Sequence, residues 1–581
     1  MPMDAERPFA DVVAAGECCL TVVLGSAISE DTNARVHTMR ASLAEQHIPG
    51  VLELVPGYCT LAIYIDPLKA DVQGLCTLLL REGRMTRSSM RVPQRTVVFP
   101  VLYGDTMGPD LGRVATSSGL SVDDVIARHA GRTYTCAMLG FLPGFPYLLG
   151  LDSQLETPRL DAPRVSVPAG SVGIAGCQTG IYPLNSPGGW NIIGRTPLHL
   201  FDAETTIPTL VRPGDRVEFR SIGREEYDRR STVLSAVCPQ KADSSSLGVT
   251  TPAMRVEAAG LLTTVQDLGR PGYQDIGMPL SGAMDPQALA IGNVLVGNDP
   301  DAAALEMTIT GPVLRFETDA LVAVTGADLH MTVNDRDAPA WTCCPVCAGD
   351  SVSFRGADPS GGCRAYLCVA GGIRVPRVMG SRSTLLRSRT GGLEGRALKA
   401  GDAVPIALLE EASLSLLGFS CPKNLREEKT GCDALPILPG PQRHVLDSTA
   451  TSTLTAATWV VAAASDRMGY RLEGPALSLA ESADIISAPV PLGAVQVTGS
   501  GQPIVLMADH QTTGGYAVPF VVARAWLASL AQRQPGDTVT FTLGSVASAV
   551  EGLRRQGTAL KQLAELRREW LARLNTRQGD G

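Results

Sequence analysis

Pro213-Gly-Asp-Arg-Val-Glu-Phe219 is a turn that delivers the chain into a strand, and the sequence repeats it. It returns as Gly349-Asp-Ser-Val-Ser-Phe354, as Gly401-Asp-Ala-Val404 and as Pro535-Gly-Asp-Thr-Val-Thr-Phe541. Glycine supplies the turn conformation, aspartate hydrogen-bonds nearby backbone, and the alternation that follows suits a pleated strand with one face buried. A second echo runs alongside. Pro168-Ala-Gly-Ser-Val172 precedes Gln178-Thr-Gly-Ile-Tyr-Pro183, and Pro491-Leu-Gly-Ala-Val495 precedes Gln511-Thr-Thr-Gly-Gly-Tyr516 with a longer hairpin between. Together the echoes predict the same β-fold in both halves.

Working outward, 96–219 holds short apolar runs between Gly and Pro and one helix, Ser121–Ala130, with Ser121 as its N-cap. That texture reads as a β-barrel or sandwich. The first ninety residues read as α/β. Strands are expected at Cys19–Gly25, Val51–Val55 and Thr60–Ile65, and helices at Asp31–Gln46, capped by Asp31 or Thr32, and Val72–Arg81. The Ser-rich, Pro-bounded stretch 236–252 is the expected linker. A second β-rich block follows to about 543, with Lys423–Leu435 as a connector. The tail Ser545–Leu574 spaces its leucines by three and four, an amphipathic helix expected to pack on its own protein or a partner. The fold class is mainly β with α+β parts. The expected units are 1–92, 93–235, the linker 236–252, 253–422, 423–544 and the tail 545–581.

Composition excludes several classes. With 581 residues, three to five domains are expected. Only 19% of residues are charged while 44% are hydrophobic, which argues against a disordered chain. A net charge of −8 argues against a broad nucleic-acid surface. Fourteen cysteines are too dispersed for a disulfide framework, and no apolar run is long enough to span a bilayer. A soluble, cytoplasmic protein with reduced thiols is expected.

Local motifs decide little. No Gly-Lys pair exists, so no P-loop, and no Met-Lys pair, so no biotin attachment hairpin. The glycine-rich Gly170–Gly176 reads as a barrel turn or a backbone nest for an anion. Cys344-Pro-Val-Cys347 has a metal-knuckle spacing but lacks a second ligand pair, so structural thiols are expected. Cys177 has no base beside it in sequence. His129, ending its helix, reads as a dipole partner or a functional group. The run Asp509-His510-Gln511-Thr512 follows an apolar strand. Like Gln178-Thr179, it should line a cleft, because adjacent polar side chains are costly to bury without partners.

The long motifs carry a family signal. Phe141-Leu-Pro-Gly-Phe-Pro-Tyr147, Pro163–Gly176, Gln178–Pro183 and Ser186–Pro197 resemble the allophanate hydrolase subunit 1 family, also called KipI or the 5-oxoprolinase B component. Leu262–Tyr273, Ser281-Gly-Ala-Met-Asp-Pro286, Asn293–Asn298, Ala304-Leu-Glu306, Thr325–Asp328 and Ala370–Ile373 resemble the allophanate hydrolase subunit 2 family, KipA or the 5-oxoprolinase C component. The resemblance implies cyclophilin-like β-barrel domains and a natural B–C fusion. It further implies an ATP-dependent 5-oxoprolinase that opens 5-oxo-L-proline to L-glutamate with Mg²⁺ and a separate LamB/YcsF-like A component. The same modules in opposite order resemble the carboxyltransferase of urea carboxylase. The Kip pair resembles a sensor-kinase inhibitor and its antagonist. Nothing in the sequence argues against a homo-oligomer, or for nucleic-acid or membrane partners.

Opening a stable lactam needs donors for phosphate oxygens, a cation and an oriented nucleophile. Under the resemblance, Asp285, Glu306, His510 and Gln178 are the catalytic candidates. Arg164, Thr179, Tyr182 and Arg195 in the first half are binding candidates for substrate or ATP. Gln266, Asp267, Arg270, Asp328, Asp509, Gln511 and Thr512 are those of the second half. Among the carboxylates, Asp285, Glu306 and Asp328 are the ones to test against Mg²⁺ or proton transfer.

Overall fold

All four Gly-Asp turns form, and all in one way. In this computed structural model Gly214, Gly349, Gly401 and Gly536 have φ between 88° and 92°, where only glycine is unstrained. The aspartate that follows donates its N–H to the carbonyl three residues back and accepts that residue's N–H on its carboxylate. The pairs are Asp215 with Arg212, Asp350 with Cys347, Asp402 with Lys399 and Asp537 with Gln534, at 2.8–3.2 Å. Each turn feeds a strand: Arg216–Ser221, Ser351–Phe354, Ala403–Pro405 and Thr538–Val539. The structure describes residues 9–86, 95–237, 252–359, 361–426 and 434–579, without the side chains of 234–237 and 575–579.

The strands of 96–221 close into a seven-stranded barrel. Its last strand, Arg216–Ser221, runs parallel to its first, Thr96–Tyr103, and the remaining pairs are antiparallel. The last domain repeats the parallel pairing of its last strand with its first. Phe541–Leu543 runs parallel to Leu435–Ile437 at the edge of an eight-stranded sheet. The second echo holds less well. Ser171–Ala175 pairs with Gln178–Ile181, but Thr513–Tyr516 pairs with Asp484–Pro489. The longer hairpin inserts Pro503–Leu506, which takes the place beside Ala494–Val497.

The N-terminal domain is a four-stranded antiparallel sheet of Asp11–Ala14, Cys19–Val23, Thr60–Ile65 and Val51–Pro56, with helices Glu30–Glu45 and Val72–Met85. The first strand was not anticipated. The first helix is capped by Ser29, whose Oγ accepts from Thr32 N at 3.1 Å, rather than by Asp31 or Thr32. This domain reaches across the chain. Glu17 Oε1 accepts the N–H of Arg524 at 2.6 Å, Tyr64 Oη donates to the carbonyl of Val490 at 3.1 Å, and Cys19, Val55 and Tyr64 share a core with Ala494, Leu506 and Val521.

Between 253 and 406 a six-stranded and a five-stranded sheet enclose a common core. The helix Pro286–Leu295 lies on the five-stranded sheet and is buried almost throughout. It has no polar face, hence no amphipathic period to reveal it in sequence. The carboxylate of Asp110, at the start of the helix Leu111–Ser118, bonds Ile192 N and Arg164 instead of capping it. The tail helix Val546–Gly579 covers Pro286–Leu295. Leu563 is fully buried and Trp570 Nε1 donates to the carbonyl of Ser415 at 2.8 Å. The linker expected at 236–252 lies mostly outside the described residues, as does 427–433 of the connector; the helix Arg224–Val237 leads up to the first. No helix among the described residues is long and apolar enough to cross a membrane.

Candidate active site at the junction of the two halves

Motif loops from both halves meet at one place. The barrel loop 139–146 runs beside 276–277, with a parallel bridge from Leu139 to Ile276 and Gly144 N donating to the Ile276 carbonyl at 2.8 Å. Ser281 N donates to the Ala508 carbonyl at 3.0 Å, which brings in 507–513. A Cβ added to Gly140 would stand 2.2 Å from Thr513 Oγ1, so glycine is what lets these loops touch. Further back, Glu53 of the N-terminal domain accepts the N–H groups of Gly272 and Gln274 at 2.6 and 2.9 Å, and Arg40 pairs with Asp275 at 2.5 Å.

The junction holds buried polar atoms without partners. Arg270 is 1% exposed. Its Nη2 donates to the Ser383 carbonyl, while Nε and Nη1 have no partner among the described residues. Gln266 gives its Nε2 to Thr264 and the Thr384 carbonyl and leaves Oε1 unpaired; Thr512 Oγ1 is unpaired as well. His510 is also 1% exposed. Its Nδ1 lies 2.7 Å from the Gln511 carbonyl, an oxygen that can only accept, so Nδ1 carries the proton and Nε2 is a bare lone pair. Burial pushes this imidazole below its ordinary range, so it is neutral. Asp509, beside it, lies within Coulombic reach of Arg270. A neutral, backbone-oriented base and unsatisfied guanidinium donors, each flanking Asp509, are groups suited to moving a proton and to holding an oxyanion.

The carboxylates around it are filled. Glu306 accepts from Met284 N at 2.8 Å, Tyr366 Oη at 2.7 Å and Arg467 Nη1 at 2.5 Å. Arg467 grips Asp509 with Nε at 2.8 Å and Nη2 at 3.0 Å and reaches the Gly282 carbonyl. Asp285 caps the helix Pro286–Leu295 through Ala288 N and accepts from Gln532 Nε2, both at 3.0 Å. Asp267 accepts from Gly269 N, Ser381 Oγ, Ser383 Oγ and Arg382 N. With their oxygens so occupied, Asp267, Asp285 and Glu306 do not fit Mg²⁺ ligation. Among the described residues no group of three or more His, Cys, Asp or Glu could hold a metal ion.

The other candidates lie elsewhere. Thr179 is inside the barrel: its Oγ1 donates to the Gly173 carbonyl and so accepts from His129 Nε2, both at 3.0 Å, and His129 Nδ1 accepts from Tyr103 Oη at 2.8 Å. Burial lowers this imidazole to about 3. Arg164 pairs with Asp110 at 2.6 Å and leaves Nη1 unpaired, as Arg195 leaves Nε and half-buried Gln178 leaves Oε1. Tyr182 is buried with its hydroxyl against Gly188. Asp328 is exposed and bonds His330 N. The expectation that Gln178-Thr179 and Asp509–Gln511 line an open cleft is therefore corrected. Thr179, Asp509 and His510 are interior, and their cost is met by hydrogen bonds or left as single unpaired atoms. Arg467, Tyr366 and Gln532, which complete the network, carry no motif that marks them in sequence.

A separate open groove of about 1560 Å³ runs between the helix Glu30–Glu45, the barrel edge at Thr96, Thr135 and Arg216, and Gly272 and Asp275. None of the sequence-derived candidates lines it.

The family described as carboxyltransferase domain, subdomain A and B, matches residues 276–543, and that described as subdomain C and D matches 10–211. The chain is 39% identical over 311 residues to the C component of 5-oxoprolinase from Escherichia coli, spanning 54% of this chain and 97% of that protein. It is 40% identical over 222 residues to the B component of 5-oxoprolinase from Bacillus subtilis, spanning 36% of this chain and 92% of that protein. Urea amidolyase of Saccharomyces cerevisiae is 32% identical over 326 residues, but only 18% of its own length is covered. The solved structure of TTHA0988 superposes with a TM-score of 0.76 at 34% identity, covering 90% of this chain and 99% of its own.

Proposed function

The chain belongs to the carboxyltransferase-domain family that includes the B and C components of 5-oxoprolinase, and on that premise we propose that it is the joined B–C component of an ATP-dependent 5-oxoprolinase. The two relatives are each covered almost end to end, and the two carboxyltransferase-domain matches fall on separate stretches of one chain, 10–211 and 276–543. A separate LamB/YcsF-like A component completes the system in this reading. The observation that carries the site is His510, neutral with a bare Nε2, beside the loop that brings Arg270 and its two unpartnered donors into the same junction.

ATP would supply the activation that turns the lactam oxygen into a leaving group. Arg270 fits that chemistry, since Nε and Nη1 can donate to an oxyanion of phosphate or of the lactam. His510 accepts at Nε2 the proton of the attacking water while Nδ1–H stays on the Gln511 carbonyl. Arg467 fixes Asp509, and with it the backbone that aims His510. Because Arg270 and His510 are sealed, reactants enter only when the loop 139–146 moves off 276–277 and Thr513, and closure then excludes bulk water. No step is drawn through Mg²⁺.

The purified chain is to be assayed for ATP turnover and glutamate release from 5-oxo-L-proline, with and without a LamB/YcsF protein. Coupled glutamate release that needs both proteins is expected. Robust glutamate release by the chain alone would contradict the division of labour. Biotin-dependent carboxyl transfer to urea, with no response to the LamB/YcsF protein, would favour the second reading, a carboxyltransferase, for which the match to both carboxyltransferase subdomain pairs speaks.

A further inference from the structure

Arg387 stands at the tip of a hairpin that reaches from the second half across the junction. The hairpin is closed by paired backbone bonds between Leu385 and Thr390 at 2.8 and 3.1 Å, and its base holds Arg270 through the Ser383 carbonyl. Two non-glycine residues take left-handed backbone to complete the approach. Arg389 has φ 52° and Phe141, on the barrel loop opposite, has φ 65°. Each is strained relative to ordinary backbone for a residue with a Cβ. The result is the Arg387 guanidinium 4.9 Å above the Phe141 ring.

The guanidinium is half-buried and has few partners among the described residues. Its only hydrogen bond among the described residues is a long one, 3.8 Å, from Nη1 to Met468 Sδ, and it has no ion pair among them. Asp466 and Tyr147 act on it only through space, and burial depresses its basicity. An aromatic face offsets part of the desolvation but leaves the edge of the guanidinium with free N–H donors. The neighbouring residues Met468 and Arg467 place this edge beside the stretch that grips Asp509 next to His510.

We infer that Arg387 is an oxyanion receptor at the junction, binding a carboxylate or phosphate group of a reactant and reading it with donors that the Phe141 ring and the strained hairpin keep in place. The inference rests on the junction being the reaction site. The shared chemistry has two sources under the proposed reaction, the carboxylate of 5-oxo-L-proline and the phosphates of ATP, and the test separates them.

Equilibrium binding of 5-oxo-L-proline, of its uncharged analogue 2-pyrrolidinone and of ATP is to be measured by calorimetry on the full chain and on Arg387→Met and Arg387→Lys. Melting temperatures verify that each variant is folded, and Phe141→Leu serves as a second probe that leaves the charge in place. Arg387→Met should weaken one anion about tenfold or more, the effect of losing a charge-assisted hydrogen bond, and leave 2-pyrrolidinone unchanged. Arg387→Lys should recover part of the loss, and Phe141→Leu should weaken the same anion. Loss confined to 5-oxo-L-proline assigns the carboxylate; loss confined to ATP assigns a phosphate. Both anions binding Arg387→Met as tightly as wild type, or wild type binding neither, overturns the inference. So does an equal loss for the uncharged lactam. These readouts need no turnover. If glutamate release with the LamB/YcsF protein fails while Arg387-dependent anion binding holds, the receptor stands and the assigned reaction falls.

Discussion

At the scale of single residues, the junction and the barrel interior separate groups that sequence alone treats alike. His510 and His129 are both buried and neutral, but both nitrogens of His129 are used and one of His510 is free. His510→Ala should therefore lower turnover of the folded fraction by about 10²–10⁴-fold, the range for a lost general base, in addition to the stability lost by emptying a buried site. Thr179→Val should cost about 1–3 kcal/mol in denaturant unfolding through the unpaired His129 N–H, with binding intact in the folded fraction. Histidine burial also has a pH signature. His37 is pushed down to about 4 and His129 to about 3, whereas an unfolded histidine titrates near 6.5. The unfolded chain thus takes up protons first as pH falls. The stability these residues give is complete above about pH 6.5 and is lost progressively towards pH 4 for His37 and pH 3 for His129. Urea midpoints between pH 7 and 4.5 should fall for wild type and fall less for His37→Gln; an identical slope would refute this. Sequence did single out His510 and Thr512, because polar runs inside apolar context are costly, and Arg270 through the motif that carries the family resemblance. It did not single out Arg387 or Arg467, whose roles depend on neighbours far away in the chain.

At the scale of elements, the Gly-Asp turn shows what local chemistry can specify. Four segments far apart adopt one geometry because glycine's φ and aspartate's two bonds are set within four residues. A Cβ on Gly349, Gly401 or Gly536 meets nothing within 4 Å, so the cost of alanine there is conformational alone. Gly401→Ala and Gly536→Ala should each lose about 1–2 kcal/mol in urea unfolding without altering binding. Elements defined by local signals were legible in this way: the strands after each turn, the helix capped by Ser121, and the leucine-patterned tail. Elements defined by burial were not. Pro286–Leu295 is apolar on every side, and Thr513–Tyr516 took a partner decided by an inserted hairpin. The tail helix is the cover of Pro286–Leu295, and Leu563→Ala should cost about 2–5 kcal/mol, read as an earlier unfolding transition.

At the scale of the molecule, the two halves are joined by more than the covalent link. Arg40 with Asp275, Glu53 with Gly272 and Gln274, and the bridge at Ile276 hold them together. Proteolysis within 238–251 should therefore give two fragments that elute as one species in gel filtration, and Arg40→Ala with Glu53→Gln should promote their separation. Elution of the uncombined fragments from the nicked wild-type chain would contradict this. The bond from Arg524 N to Glu17 spans 507 residues and imposes a schedule on biosynthesis. A ribosome adding about 5–20 residues per second emits the N-terminal sheet some 25–100 s before the surface that covers it. During that interval Cys19, Val55 and Tyr64 face solvent or a chaperone, so the nascent chain, not the finished protein, is where this architecture is most prone to go astray.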